Sequence, residues 1–143
     1  MKINRAKATW KGNLVNGNGE MGFEKSKTSF PFSFKSRFED GEGANPEMLI
    51  GSAHAGCFSM AFSHLLSEAG FVPEKVETIA EIKLEPVEGG FKITESHLIV
   101  NGIVPGISEE QFLEIASKAK DGCPVSQALS ATKITMFAKL EGV

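Results

Sequence analysis

Asn45-Pro46-Glu47-Met48-Leu49-Ile50-Gly51-Ser52-Ala53-His54-Ala55-Gly56-Cys57-Phe58-Ser59-Met60-Ala61-Phe62 opens a run of apolar and small residues that continues to about Ala69. The run predicts one long helix. Asn45 suits the N-cap, Pro46 the first helical position, and Glu47 complements the positive end of the helix dipole. Gly70 provides a stop, with Pro73 shortly beyond it. Apolar or small side chains fall on nearly every face, and a helix apolar all round is expected to be buried. Cys57 lies near its middle.

Outward from this helix the chain alternates. On the N-terminal side, Ala6 to Lys11, Met21 to Glu24 and Ser29 to Lys35 read as a three-stranded meander, with turns at Gly12-Asn13 and Asn16 to Gly19. Phe30, Phe32 and Phe34 then share one strand face, and Pro31 points to an edge strand. Arg37 to Ala44 reads as a polar, Gly-rich loop. On the C-terminal side, Val76 to Glu85 and Phe91 to Val104 form an antiparallel hairpin about Gly89-Gly90. Ser108-Glu109-Glu110-Gln111 is a capping box opening an amphipathic helix with Phe112, Ile115, Ala116 and Ala119 on one stripe. Asp121-Gly122 closes it, Cys123-Pro124 starts a short further helix, and Ala131 to Glu141 ends as a strand. The order βββ-α-ββ-α-β means an α+β fold, with antiparallel sheets around a long buried central helix.

Residues 1–143 are expected to form a single domain. Fifteen basic against 18 acidic residues give a net charge of −3 with no basic cluster, which argues against nucleic acid. The N-terminus has no signal pattern, so a cytoplasmic protein is expected. Leu49 to Leu66 could pass for a membrane span, but Gly51, Ser52, His54, Gly56, Ser59, Ser63 and His64 interrupt it and no basic residues flank it. No membrane role is expected. Two cysteines 66 positions apart are not a disulfide framework. They are bystanders or a redox pair.

Cys123, just before Pro124, sits at or beside a helix N-cap, where free N–H groups lower a thiol pKa; the alternative is a turn cysteine filling a small pocket. Cys57 reads first as a small apolar filler, since free cysteine is among the most buried residue types. Against that, the small residues Gly51, Ser52, Ala53, Ala55 and Gly56 would let another segment approach its sulfur. His54 shares the face of Cys57 and reads as a satisfied core histidine more readily than as a zinc ligand with His64. His97 has no partner visible in the sequence. Arg37 and Glu47 read alone as a surface arginine and a first-turn glutamate. Beside a thiol, the arginine would hold a thiolate and the glutamate would fix the guanidinium. Ten residues separate Glu47 from Cys57, so they stand ~15 Å apart along a straight helix. If both serve one site, the helix must kink or Glu47 must come from a second chain running antiparallel, as in a C2 dimer.

Arg37-Phe38-Glu39, Asn45 to Gly51, Ala53 to Ala61 and Lys120-Asp121-Gly122-Cys123-Pro124-Val125-Ser126 together resemble the OsmC (osmotically inducible protein C) peroxidases. The resemblance covers essentially the whole chain. It implies an OsmC-like fold, an intertwined homodimer with two interfacial sites, and a thiol-dependent peroxidase acting on organic hydroperoxides, with hydrogen peroxide a further candidate substrate, in oxidative and osmotic stress. By it Cys57 is the peroxidatic cysteine, Cys123 the resolving one, and Arg37 with Glu47 activates Cys57. It implies no metal, flavin or haem cofactor, and an external dithiol reductant such as a lipoylated protein. The sister Ohr branch, the organic hydroperoxide resistance proteins, takes its arginine from a loop nearer the N-terminus. Here that region, Asn16 to Glu20, has none, which favours the OsmC branch.

Cap electrostatics alone would select Cys123 as the more acidic thiol, whereas the resemblance assigns attack to Cys57. A full arginine charge at contact exceeds a helix-end contribution of ~0.3–1 kcal/mol. Two further readings stay open: a redox-sensing binding protein of the same fold without turnover, and a zinc-stabilised domain.

Overall fold

The computed structural model describes residues 1–142. The elements in chain order are β1 (Ala6–Lys11), β2 (Asn18–Phe23), β3 (Ser29–Phe32), α1 (Phe34–Phe38), α2 (Pro46–Glu68), β4 (Lys75–Val87), β5 (Gly90–Ile103), α3 (Glu109–Gly122), α4 (Pro124–Ala128) and β6 (Lys133–Leu140). This is the expected α+β class. By its own contacts the chain divides into two compact units, Met1–Leu49 and the part from Ile50 onward.

In the first unit, β1, β2 and β3 form the antiparallel meander, Pro31 lying on the edge strand opposite Glu20. The Asn18-Gly19 part of the expected turn is strand, paired with Lys11 and Trp10. Two expectations fail after Phe32. Phe34 does not extend β3, and Arg37 does not lie in a loop; both belong to α1. The cause is a serine capping box. The Ser33 hydroxyl accepts the Ser36 N–H at 3.2 Å while the Ser36 hydroxyl accepts the Ser33 N–H at 2.9 Å, stopping the strand and starting a helix. Phe30, Phe32 and Phe34 mimicked strand alternation, but two satisfied backbone donors outweigh that pattern.

α2 starts in the first unit and runs without interruption into the second, where it has a Schellman end. The Phe71 N–H bonds to the Leu66 carbonyl at 2.9 Å and the Gly70 N–H to the Ser67 carbonyl at 3.0 Å, with Gly70 at φ +93°. Its buried stripe, Gly51, His54, Phe58, Phe62 and Leu66, follows i, i+4 spacing with one i+3 step. Phe58, Phe62 and Leu66 join Leu98 and Val100 of β5 and Phe112, Ala116 and Ala119 of α3 in one core. Phe62 meets Phe112 edge-on at 5.1 Å between centroids. The opposite stripe, Ala53, Gly56 and Met60, is exposed in the single chain, Met60 at 78 %. The helix apolar all round is therefore covered on one side only by its own chain. By length and composition α2 could cross a membrane, yet its buried stripe is the centre of this core.

β4 and β5 pair antiparallel as expected, whereas β6 lies parallel to β5, so this sheet is mixed. Parallel pairing needs a long crossover, and α3 with α4 supply it. The crossover is packed tightly: a Cβ on Gly102 would stand 2.6 Å from Phe112 Cε2, so glycine lets α3 sit against β5.

Candidate active site

Arg37 and Glu47 are brought together by local hydrogen bonds. The Ser36 hydroxyl donates to the Ala44 carbonyl at 2.7 Å, and the Asn45 amide donates to the Ser36 carbonyl at 3.0 Å. Asn45 also caps α2, its Oδ1 accepting the Met48 N–H at 2.8 Å. These bonds tie the last turn of α1 to the first turn of α2. Arg37 Nη2 and Nε then donate to the same oxygen, Glu47 Oε1, at 2.9 and 3.3 Å. The expected guanidinium–carboxylate pairing thus converges on one carboxylate oxygen. The Glu47 side chain is 9 % exposed and that of Arg37 37 %, so the carboxylate is the buried member. The Arg37 guanidinium also lies over the Phe38 ring, 5.4 Å from its centroid.

The two cysteines, 66 positions apart in sequence, are brought side by side, Cys57 packing against the core cluster that contains Cys123. Both are free thiols, Cys57 partly buried and Cys123 fully so. Cys123 ends α3 and caps α4, its sulfur accepting the Ser126 N–H at 3.3 Å. The Val125 backbone lies near enough to Cys57 to favour its thiolate. One turn of backbone thus adjoins both cysteines. Burial raises the Cys57 pKa above the ordinary thiol value, the Val125 backbone acts against that, and the adjoining Cys123 raises it further.

His54 is fully buried with both ring nitrogens occupied: Nδ1 is 2.6 Å from Ser96 Oγ and Nε2 is 2.8 Å from Ser126 Oγ. Burial lowers its pKa. Ser126 Oγ also lies 3.2 Å from Cys123 Sγ. Sequence reasoning missed both serines. The signal for Ser126 was its place three residues after an N-cap; for Ser96, a polar residue in the register of the buried Leu98 and Val100. His97 does have a partner, its Nδ1 lying 2.6 Å from Thr135 Oγ1. Among the described residues no group of three or more His, Cys, Asp or Glu is placed to hold a metal ion.

Two neighbouring free thiols beside the backbone that opens α4 suit reversible disulfide chemistry. The model of the OsmC-like protein family matches residues 39–137, which include both cysteines. The chain belongs to the OsmC-like family. It is 45 % identical over 138 residues to the peroxiredoxin OsmC of Escherichia coli (strain K12), a match covering 96 % of each chain. The protein of that name from Shigella flexneri matches equally. Among solved structures, the organic hydroperoxide resistance protein OhrB of Bacillus subtilis is similar at 25 % identity with a TM-score of 0.71, covering 96 % of this chain and 98 % of that one. The organic hydroperoxide resistance protein of Elizabethkingia anophelis, at 23 % identity and TM-score 0.76, covers 98 % of this chain and 99 % of that chain and shares the fold.

Proposed function

We propose that this OsmC-like chain is a thiol-dependent peroxidase that reduces organic hydroperoxides, with hydrogen peroxide a further substrate. The observation that carries the reading is the proximity of Cys57 and Cys123 in a chain 45 % identical to a peroxiredoxin. Cys57 thiolate attacks the distal oxygen of ROOH. The O–O bond breaks, the alkoxide leaves as alcohol after taking a proton, and Cys57 becomes a sulfenic acid. Cys123 then displaces the sulfenic hydroxyl as water, giving a disulfide that an external dithiol, of the kind carried by lipoylated proteins, reduces by exchange. Cys57 is the attacking thiol because it is the more exposed of the two.

In this reading Arg37 and Glu47 activate Cys57 from a second chain. Because Arg37 and Glu47 pair at 2.9 Å within one chain, they travel together. The rise of α2 puts Glu47 ~15 Å from Cys57 along its own axis. An antiparallel α2 in a C2 homodimer would bring the partner's Glu47 and the partner's Arg37 toward Cys57, and would cover Ala53, Gly56 and Met60. We take residues 1–143 as one functional domain, since the family match and α2 both run through the Leu49/Ile50 boundary. Free thiols suit the reducing cytoplasm.

The test is catalytic consumption of cumene hydroperoxide with dihydrolipoamide. Sustained turnover that Cys57→Ser abolishes is expected. Oxidation that stops after one equivalent of hydroperoxide per chain would refute the enzyme and favour a sensor.

A further inference from the structure

The buried serine–histidine–serine chain beside Cys123 has no part in the scheme above, and a thiol enclosed in an apolar core needs one. Cys123 is fully buried among Phe112, Ala116 and Ala119. It must lose a proton to attack a sulfenic acid, because the thiolate is the nucleophile. Cys123 is fully buried, and the groups at hydrogen-bond distance of its sulfur are the Ser126 N–H and the Ser126 hydroxyl, with Cys57 adjoining. The N–H can only donate. The hydroxyl can accept, and its other neighbour is the Nε2 of His54 at 2.8 Å.

We propose that Ser126 and His54 form a buried proton relay that deprotonates Cys123 during disulfide formation. This rests on the peroxidase reading of the same cysteines. The relay needs Nε2 as the acceptor. His54 then carries its proton on Nδ1 and donates it to Ser96 Oγ, 2.6 Å away, which can accept it. In that arrangement Cys123 S–H donates to Ser126 Oγ, and Ser126 O–H donates to His54 Nε2. As Cys123 attacks Cys57, its proton passes to Ser126 Oγ and the Ser126 proton passes to Nε2. The S–S bond forms, the S–O bond of the sulfenic acid breaks, and the departing hydroxide takes one proton from the network to leave as water. The sum is Cys57–SOH plus Cys123–SH giving the disulfide and water, with His54 neutral again. The Cys123 sulfur is oxidised and the sulfenic sulfur of Cys57 reduced, so no further redox partner enters.

A buried charge is costly unless paired. Here the transient imidazolium and thiolate are one serine apart, so the network stays neutral as a whole. The elements around the ring bring few ionisable groups. Cys57 comes from α2, Cys123 from the start of α4, and β5 contributes the uncharged Ser96. Burial, with no charged neighbour, shifts the imidazole. Ser126 touches the reacting sulfur, whereas His54 acts through it and is a positioning residue.

The test separates the two half-reactions in the intact protein. Reduced chain is mixed with cumene hydroperoxide and quenched at intervals with a sulfenic-acid trap and a thiol alkylator. Mass spectrometry then follows Cys57 sulfenic acid and the Cys57–Cys123 disulfide separately. Ser126→Ala should leave sulfenic acid formation unchanged and slow disulfide formation by about a hundredfold, the lower end of what a positioned proton acceptor contributes. Ser126→Thr, which keeps a hydroxyl, should restore most of the rate. Between about pH 6 and pH 8 the wild-type disulfide step should be nearly flat, the relay supplying the base. In Ser126→Ala and His54→Gln it should climb steeply with pH, because hydroxide must then replace the internal base. Should His54→Gln fold poorly, the serine pair alone decides. A Ser126→Ala protein that forms its disulfide at the wild-type rate, or one slowed equally at every pH, overturns the relay alone. A wild-type protein that never forms the disulfide overturns both the relay and the peroxidase scheme.

Discussion

Gly102→Ala is a small change with a large expected consequence, because its cost can be read from one packing contact. A Cβ at position 102 would lie 2.6 Å from Cε2 and 2.9 Å from Cζ of Phe112. Phe112 is fully buried and meets Phe62 edge-on at 5.1 Å, so its ring can yield only by displacing its core neighbours. Gly102 lies outside the positive-φ glycines, so alanine fits the backbone and restricts the unfolded chain, a gain of about 0.4–1 kcal/mol. Overpacking a filled core costs about 1–3 kcal/mol. A clash this close belongs in the upper half of that range, so the steric cost wins and leaves about 1–2.6 kcal/mol of destabilisation, which for a chain of this size lowers Tm by roughly 2–10 °C. Thermal and urea unfolding should agree on that loss. Phe112→Leu placed in the Gly102→Ala background should recover part of it, and a double-mutant cycle would show the coupling. Because Phe112 sits on α3 and Cys123 caps the end of α3, the variant should also form its disulfide more slowly. A Gly102→Ala protein as stable as wild type would refute the packing argument.

Two further outcomes follow from the exposed helix face and the buried histidine. Met60→Glu, on the open face of α2, should weaken self-association by about a hundredfold or more, because an unpaired carboxylate resists burial. Analytical ultracentrifugation reads it, and peroxidase turnover should fall in parallel if the site is shared; a wild-type monomer at assay concentrations would dispose of the dimer. For His54, burial depresses the folded pKa below the unfolded value. Its contribution to stability is thus complete above the ordinary imidazole range and lost as pH falls through the folded pKa. Urea unfolding from about pH 7 to pH 5 should show that acid limb in wild type and a smaller one in His54→Asn. Parallel curves would refute it.

The sequence exposed the elements that announce themselves locally. Asn45, Pro46 and Gly70 bound α2, Ser108 opens α3, and Gly89-Gly90 turns the β4–β5 hairpin. Where local signals competed, the reading failed: alternating phenylalanines suggested a longer β3, and the Ser33–Ser36 box made α1 instead. The parallel placement of β6 was also hidden, because strand direction depends on where the crossover returns the chain.

The site divides the same way. Cys57, Cys123, Arg37 and Glu47 stand out by residue type and local motif, because scarce cysteines and arginines are legible in a linear chain. Only the tertiary structure brought the two cysteines side by side and set the Ser126 N–H against the Cys123 sulfur. Likewise it alone threaded His54 between Ser96, 42 positions away, and Ser126, 72 positions away. Serine is common and marks nothing by its type. Its meaning here comes from burial, where a hydroxyl must find a partner and the choice of partners is made by packing. The central helix spans both kinds of knowledge. Its ends and its apolar character are written in residues 45–70, but which face it buries in its own chain, and which it leaves open at Met60, was decided by the sheet and by α3.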